Sequence, residues 1–462
     1  MKFFYKIFIL SFALAFETQA INFSVIPILK IGLEDAEIKV SSHSESLKSI
    51  LSSVESSQFQ SKSAKASAYP NLSLQATYFY QTEVPKSSLG PVGSITFGTH
   101  NNYAIGPVLT YTLFDNNKES KSAQSYDLLA LSKIENYKAL KKQLELNIRQ
   151  VYFRVQYALK ELILTANSLK ISQAEQRDID LKWKAGASSR LDLTQAHRDV
   201  ISYQLKYKQA QTQLANELRE LIALTGVGDE LDTSRPIPEE LISSTPRGIE
   251  SPTLRVDLDS LEATLKKFSA TPETFKQFTA PTDNHPELQS LNHEAESSRL
   301  ASESEKSGLL PKIQFLAKSQ YIYPDAILPK NIIQNTIGVT LSVPLYEGEA
   351  TRSRSALKMS EAMSSEYRKK QRLSDLNRDF LKAHDVITSL HSQKLLSEQS
   401  VHEAGVVEHL TYQSYKAGKN RYLDVQDANL KLLEAEVNHA KIESSILMET
   451  AALSYLSSID TK

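Results

Sequence analysis

The chain repeats itself in a fixed register, and this constrains its fold more than any other feature. Ile105-Gly106, Leu109 and Leu113-Phe114-Asp115-Asn116 recur as Ile337-Gly338, Leu341 and Leu345-Tyr346-Glu347-Gly348, an offset of 232 (337 − 105). Lys184-Ala185-Gly186 with Leu191-Asp192-Leu193 recurs as Lys416-Ala417-Gly418 with Leu423-Asp424-Val425, also at 232 (416 − 184). Between these motifs neither half gains or loses a residue. Long helices explain such constancy, because one extra residue turns a packing face by about 100°. Upstream, Tyr69-Pro70-Asn71-Leu72 matches Leu310-Pro311-Lys312-Ile313 at 241 (311 − 70). The difference of 9 (241 − 232) falls between the proline and the Ile-Gly, where a loop absorbs length.

Each half contains a rod. Glu119 to Trp183 holds no proline and no glycine. Its apolar row runs Tyr137, Leu140, Leu144, Ile148, Val151, Val155, Leu159, Leu162, Ala166 and Leu169, in steps of three and four. About 65 residues at ~1.5 Å each give a helix of roughly 100 Å. The second half runs from Glu349 to about Tyr415, with Leu373, Leu376, Phe380, Ala383, Ile387 and Leu390 inward and Gly405 as its one breaker. Gly186 and Gly418 suit helix stops. Return helices follow, from Arg190 to Leu224 and from Tyr422 to about Leu456, with Asp192 and Asp424 in the first turn where a carboxylate favours the macrodipole.

Ahead of each rod the period changes to two. Leu72, Leu74, Ala76, Tyr78 and Tyr80 share one face against Ser73, Gln75, Thr77 and Gln81, with Phe79 out of pattern. Tyr103, Ile105, Leu109, Tyr111 and Leu113 repeat this. So do Ile313, Phe315, Ala317 and Tyr321, and then Ile333, Ile337, Val339, Leu341, Val343 and Leu345. Period two means strands. Runs of about ten residues suit tilted strands crossing a bilayer, although a half-buried soluble sheet alternates in the same way. Four strands cannot close a barrel, and an open edge is not viable in lipid. If these strands span a membrane, the chain must therefore assemble with others.

Composition narrows the setting. A net charge of -1 argues against a nucleic-acid partner. Lys2 and Lys6, the apolar run Ile7 to Phe16 and the small-residue end Thr18-Gln19-Ala20 read as a secretory signal cleaved after Ala20. There are no cysteines, which removes disulfides, thiolate metal sites and a lipid-anchoring cysteine. No Gly-rich phosphate loop, H-E-x-x-H or G-x-S-x-G is present, and the histidines, His384, His391, His402 and His409 among them, are scattered. An enzyme and a cofactor are therefore not expected.

Taken together, the duplication, Tyr69-Pro70-Asn71-Leu72, Pro344-Leu345-Tyr346-Glu347-Gly348 and the tip motifs around Gly186 and Gly418 resemble the TolC-like family of outer-membrane factors over nearly all of the mature chain. The resemblance implies a mixed α and β membrane fold. Four strands per protomer would contribute to a trimeric twelve-stranded barrel, continuous with a long periplasmic helical barrel. The expected division is a signal peptide over 1–20, an N-terminal helical segment over 21–68, and a first transmembrane hairpin over 69–113. A first rod and return helix follow over 114–225, then a proline-rich linker over 226–286 in which Leu254 to Phe268 reads as one helix. A leading helix over 287–310, a second hairpin over 311–345, a second rod and return helix over 346–456, and a tail over 457–462 complete the chain.

The implied function is the passive exit duct of a tripartite efflux or type I secretion system. Its implied partners are two further copies, a periplasmic adaptor, an inner-membrane pump or ABC transporter, and outer-membrane lipid. A soluble periplasmic coiled-coil scaffold is the competing reading, and it leaves the strands unexplained. The resemblance places Asp424 and Asp427 at the entrance constriction, where threefold symmetry would stack two acidic rings able to attract a cation. Read alone, Asp424 supports a helix start and Asp427 is a solvated acid. Asp192 and Tyr415 match positions that hold the entrance shut. The family's basic partner is shifted here, with Asn420 at its position and Arg421 next. Gly186, Leu191, Gly418 and Leu423 match the tips that meet the adaptor.

Overall fold

A computed structural model describes residues 29–88, 90, 93–226, 256–268, 278–325 and 328–457. The expected signal segment and most of the linker lie outside the described residues. The chain opens with β1 (Leu29–Lys30), α1 (Leu33–His43) and α2 (Glu45–Ala66). Two long strands, β2 (Asn71–Tyr80) and β5 (Asn101–Phe114), flank a small ribbon of β3 (Lys86–Ser88) and β4 (Ser94–Thr96). The rod α3 (Lys118–Lys184) and its return helix α4 (Arg190–Thr225) complete the first half. After β6 (Val256–Asp257) and α5 (Leu261–Lys267), the second half runs α6 (Pro286–Ser307), β7 (Lys312–Tyr323), β8 (Ile332–Ser342), α7 (Ala350–Lys416) and α8 (Tyr422–Ser457).

The duplication is carried to the ends of the elements. Both rods span 67 residues and both return helices span 36, at the offset of 232. α2 and α6 span 22 residues each, at 241 (286 − 45). The strand-to-rod turn repeats as well. Asn116 and Asn117 in the first half, and Gly348 and Glu349 in the second, take left-handed backbone conformations. α7 continues unbroken through Gly405.

Four strands form one antiparallel sheet in the order β2-β5-β7-β8. Its registers align the alternating patterns. Leu72 faces Leu109, Leu109 faces Ala317 and Ala317 faces Ile337, so one apolar row crosses the sheet. Ser73, Val108, Lys318 and Thr336 cross it on the other face. Among the described residues, β2 and β8 are left as open edges.

The main core lies at the middle of the rods. Ile148, Val151, Tyr152, Val155 and Leu162 of α3 pack with Leu214, Leu218 and Leu221 of α4 and with Ile446 and Leu447 of α8. α1 and α5 cover this region through Leu33, Val40, Leu261 and Leu265. Over Val256 to Phe268 the expected single helix is corrected to a strand and a short helix, and Leu254 and Arg255 lie outside the described residues. Val256-Asp257 pairs in parallel with Leu29-Lys30, and the Ser260 side chain caps Ala263 N at 3.2 Å, starting the helix at Leu261. Among the described residues, no helix is long and apolar enough to cross a membrane.

Candidate functional site

The site lies at the rod ends farthest from the strands. Gly186 (φ 74°) and Gly418 (φ 72°) each follow their rod in a left-handed conformation that favours glycine. Ala187 N returns to Lys182 O at 2.7 Å, and Lys419 N returns to Ser414 O at 2.9 Å, so the tips share one closing geometry. Open space surrounds the position a Cβ would take at either glycine. Leu191 and Leu423 stand exposed beside them.

The expected gating residues are only partly brought together. Asp192 forms a capping box with Ser189. Its own N–H donates to Ser189 Oγ at 3.0 Å, and its Oδ2 accepts from Ser189 N at 3.3 Å. The Ser188 hydroxyl donates to the same Oδ2 at 3.3 Å and also lies against the Tyr415 phenol, so Asp192 and Tyr415 are linked through Ser188. Burial raises the Tyr415 phenol above its ordinary value, against the pull of Lys182, whose Nζ sits 4.9 Å from the ring centre. Arg421 offers its backbone N–H to Asp424 Oδ2 at 3.0 Å, and among the described residues its guanidinium makes no ion pair. Asp424 and Asp427 are both exposed, and Asp427 pairs with Lys431 at 2.6 Å.

Between the tips and the core sits a lock that the residue pattern did not disclose. Glu175 of α3 is 6% exposed. The Tyr422 hydroxyl donates to its Oε2 at 3.3 Å, and Asn429 Nδ2 donates to both carboxylate oxygens at 3.1 and 3.2 Å. Burial raises the Glu175 carboxyl, with Glu408 and Asp199 pushing the same way, while Asn429 and Tyr422 pull it down. Asp199 is raised by burial too, and the Tyr203 phenol is pushed up to about 12, mainly by burial. A cavity of about 390 Å³ bounded by α3, α4 and α8 collects Glu175, Asp199, Tyr203, Tyr422, Gln426 and Asp427. Tyr422, at 1% exposure, anchors a small apolar cluster with Ile179, Ala196 and Val425. The start of α8 is thus tied to α3 by a buried carboxyl and sealed by aromatic packing. Glu175 could have been found as the one acid in the continuation of the α3 inward row, Ala166, Ser172, Glu175 and Ile179. Among the described residues, no group of three or more His, Cys, Asp or Glu could hold a metal ion.

The described residues thus join an open four-stranded sheet to paired helical hairpins with equivalent tips. The chain belongs to the outer membrane efflux protein family, whose model matches residues 39–227 and 282–457. It is an outer-membrane efflux duct with a periplasmic extension, and it is not an enzyme. No curated protein matches the chain significantly. Among solved structures, it is similar to a membrane protein from Pseudomonas aeruginosa at 16% identity and TM-score 0.72, with 92% of this chain and 93% of that one covered. The Campylobacter jejuni CmeC outer membrane channel aligns at 15% identity and TM-score 0.71, covering 92% and 84%. The outer membrane protein VceC from Vibrio cholerae aligns at 15% identity and TM-score 0.70, covering 92% and 95%.

Proposed function

We propose that the chain is one protomer of a homotrimeric exit duct in a tripartite efflux or type I secretion system, passive in itself and gated at the tips around Gly186 and Gly418. The observation that carries this reading is the pairing of an open sheet with two equivalent exposed tips in one chain. Among the described residues the sheet leaves unpaired edges in β2 and β8, which lipid does not tolerate. Three chains of four strands make a twelve-stranded barrel, within the range of outer-membrane barrels. The rods then carry the lumen into the periplasm, and the tips present Leu191 and Leu423 to an adaptor.

In this reading Asp424 and Asp427 face the lumen, three carboxylates to a ring, and select cations. The Ser188-mediated link of Asp192 to Tyr415, together with the Glu175 lock, holds the return helices to the rods. The energy for transport comes from an inner-membrane pump or ABC transporter.

The test is photo-crosslinking from a benzophenone residue placed at Leu191 or Leu423 in the native envelope. Adducts with a periplasmic adaptor and co-purification of an inner-membrane transporter are expected. Adducts only to soluble periplasmic proteins, with the chain itself recovered in a periplasmic wash, would overturn the reading in favour of a soluble scaffold.

A further inference from the structure

The cavity of about 390 Å³ between α3, α4 and α8 is lined by polar groups that the protein itself does not satisfy. Each of the three helices supplies one. Ser172 Oγ of α3, Asp199 Oδ2 of α4 and Gln426 Nε2 of α8 are buried atoms with no hydrogen-bond partner among the described residues. Ser172 is 2% exposed and Asp199 is 9% exposed. Buried polar groups are nearly always partnered, so three orphans on one cavity wall call for a ligand. Glu175 stands three residues after Ser172, on the same face of α3. Its carboxylate already accepts from Tyr422 and Asn429 and keeps lone pairs for a further donor.

The neighbouring cations do not fill this role. The Arg198 side chain, 67% exposed, donates from Nη2 to Asp199 Oδ1 at 3.3 Å and to Gln426 Oε1 at 3.4 Å. It takes one polar atom of each side chain and leaves the other, Oδ2 and Nε2, unmatched. Lys206 lies over the Tyr203 ring, its Nζ 6.0 Å from the centroid.

The duplication separates what a helical hairpin needs from what the cavity adds. At the offset of 232, Ser172, Glu175, Asp199 and Tyr203 correspond to Ala404, Val407, Lys431 and Ala435. Tyr422, Gln426 and Asn429 correspond to Arg190, Thr194 and His197. None of the seven residues is kept, whereas the Lys-Ala-Gly tips and the Leu-Asp helix starts between them are kept in both halves. Both rods and both return helices nevertheless reach equal lengths. Rod, glycine turn and return helix therefore form without this polar set.

The donors and acceptors define the class of ligand. Asp199 Oδ2 and the Glu175 carboxylate accept, Ser172 Oγ accepts or donates, and Gln426 Nε2 donates. A metal ion would meet the Gln426 N–H with like charge, and two carboxylates fall short of three acidic or imidazole ligands. A primary ammonium offers three N–H donors to the three acceptors. A hydroxyl on the same molecule gives Gln426 an acceptor. The volume suits a small organic molecule, and Tyr203 and Tyr422 add aromatic wall. Positive charge also offsets the repulsion between Glu175 and Asp199, both held above their ordinary values chiefly by burial.

We propose that this cavity binds an organic ammonium compound bearing a hydroxyl, with Glu175, Asp199 and Ser172 holding the ammonium and Gln426 the hydroxyl. One molecule then spans α3, α4 and the start of α8, and its binding holds the second return helix closed on the first rod. Every contact lies within one protomer, so the site does not depend on how copies assemble.

The test uses the full chain in mild detergent and phosphate buffer, with ethanolamine as the probe. Amide exchange is followed during titration, with sodium chloride holding ionic strength constant. Saturable protection is expected over 422–430, with 446–456 unchanged. Choline keeps the hydroxyl and the charge but has no N–H, and should bind at least tenfold more weakly. Ser172→Ala and Asp199→Asn should each weaken ethanolamine binding about fivefold or more. Asp424→Asn, at an exposed position outside the cavity, should bind ethanolamine like the parent, which separates the site from general attraction to acids at the tip. The choline comparison uses the unaltered protein and decides even where a variant fails to fold. Equal protection by ethanolamine, choline and sodium, or unchanged binding in both cavity variants, overturns the site. Stronger protection by magnesium chloride than by ethanolamine overturns the ammonium assignment. Conductance of the trimer is untouched by any of these results, so the duct stands or falls separately.

Discussion

Replacing Tyr422 with phenylalanine isolates the lock between α8 and α3. The ring stays in its cluster with Ile179, Ala196 and Val425, and only the hydroxyl that donates to Glu175 at 3.3 Å is lost. A hydrogen bond to a charged group contributes about 1.5–3 kcal/mol. The long distance and the raised Glu175 carboxyl place this bond at the lower end, near ~1.5 kcal/mol, with the two Asn429 donors left to hold the carboxylate. A loss of that size is about tenfold in the local opening equilibrium. Amide hydrogen exchange reads it: residues 422–430 should exchange about tenfold faster, with residues 446–456 in the core unchanged. Tyr422→Phe with exchange over 422–430 equal to the parent would refute the lock, and equal acceleration in both segments would refute its local character.

The lock also has a pH signature. Burial raises the folded-state value of Glu175 above its ordinary 4.5, so the native state holds the proton more tightly than the unfolded chain does. The stabilisation from that group is complete below about 4.5 and is lost as pH rises through the folded value. Exchange over 422–430, corrected for intrinsic rates, should therefore accelerate with rising pH in the parent and lose that dependence in Glu175→Gln.

Asp424→Ala with Asp427→Ala should lower cation selectivity and block by di- and trivalent cations in planar bilayers, and selectivity equal to the parent would remove both residues from the constriction. Gly186→Ala and Gly418→Ala should each cost about 1 kcal/mol, because both glycines sit at positive φ with no steric neighbour; equal acceleration of exchange at the two tips supports their equivalence, and a difference of more than threefold contradicts it. His285 is 1% exposed and, chiefly through burial, is held below its ordinary value of 6.5. Its neutral form is favoured in the native state, so its contribution is complete above about 6.5 and erodes as pH falls below that; the drop in heat-dissociation temperature from pH 7 to 5 should be smaller in His285→Phe, and an unchanged drop would exclude His285 as its source.

The rods, the return helices and the four strands were legible because each carries a period that survives duplication: threes and fours along Ile148, Val151 and Val155, and twos along Leu72, Leu74 and Ala76. The match of α2 to α6 was not, since Ser290, Ser297 and Ser304 of α6 pack by small size and hydroxyl contact while Ser49, Ser56 and Ser63 of α2 stand exposed, and neither set leaves an apolar row. The β1–β6 pair joins two-residue segments more than two hundred positions apart, too short for any pattern. At the tip, Gly186 and Gly418 announce themselves as helix stops. Glu175 shows only as the one acid on the continued inward row of α3, and its enclosure by Tyr422 and Asn429, some 250 positions away, is not legible from that row. The Ser189–Asp192 capping box explains Asp192 locally, and its link to Tyr415 through Ser188 emerges only from the tertiary arrangement.

As an outer-membrane efflux duct, this chain should open a water-filled path through the outer membrane. Protein extracted from outer membranes in mild detergent and added to a planar lipid bilayer measures it directly. A heat-modifiable trimer that inserts in discrete, cation-selective conductance steps is expected. A folded trimer that leaves the bilayer silent, or a chain released without detergent, would contradict it.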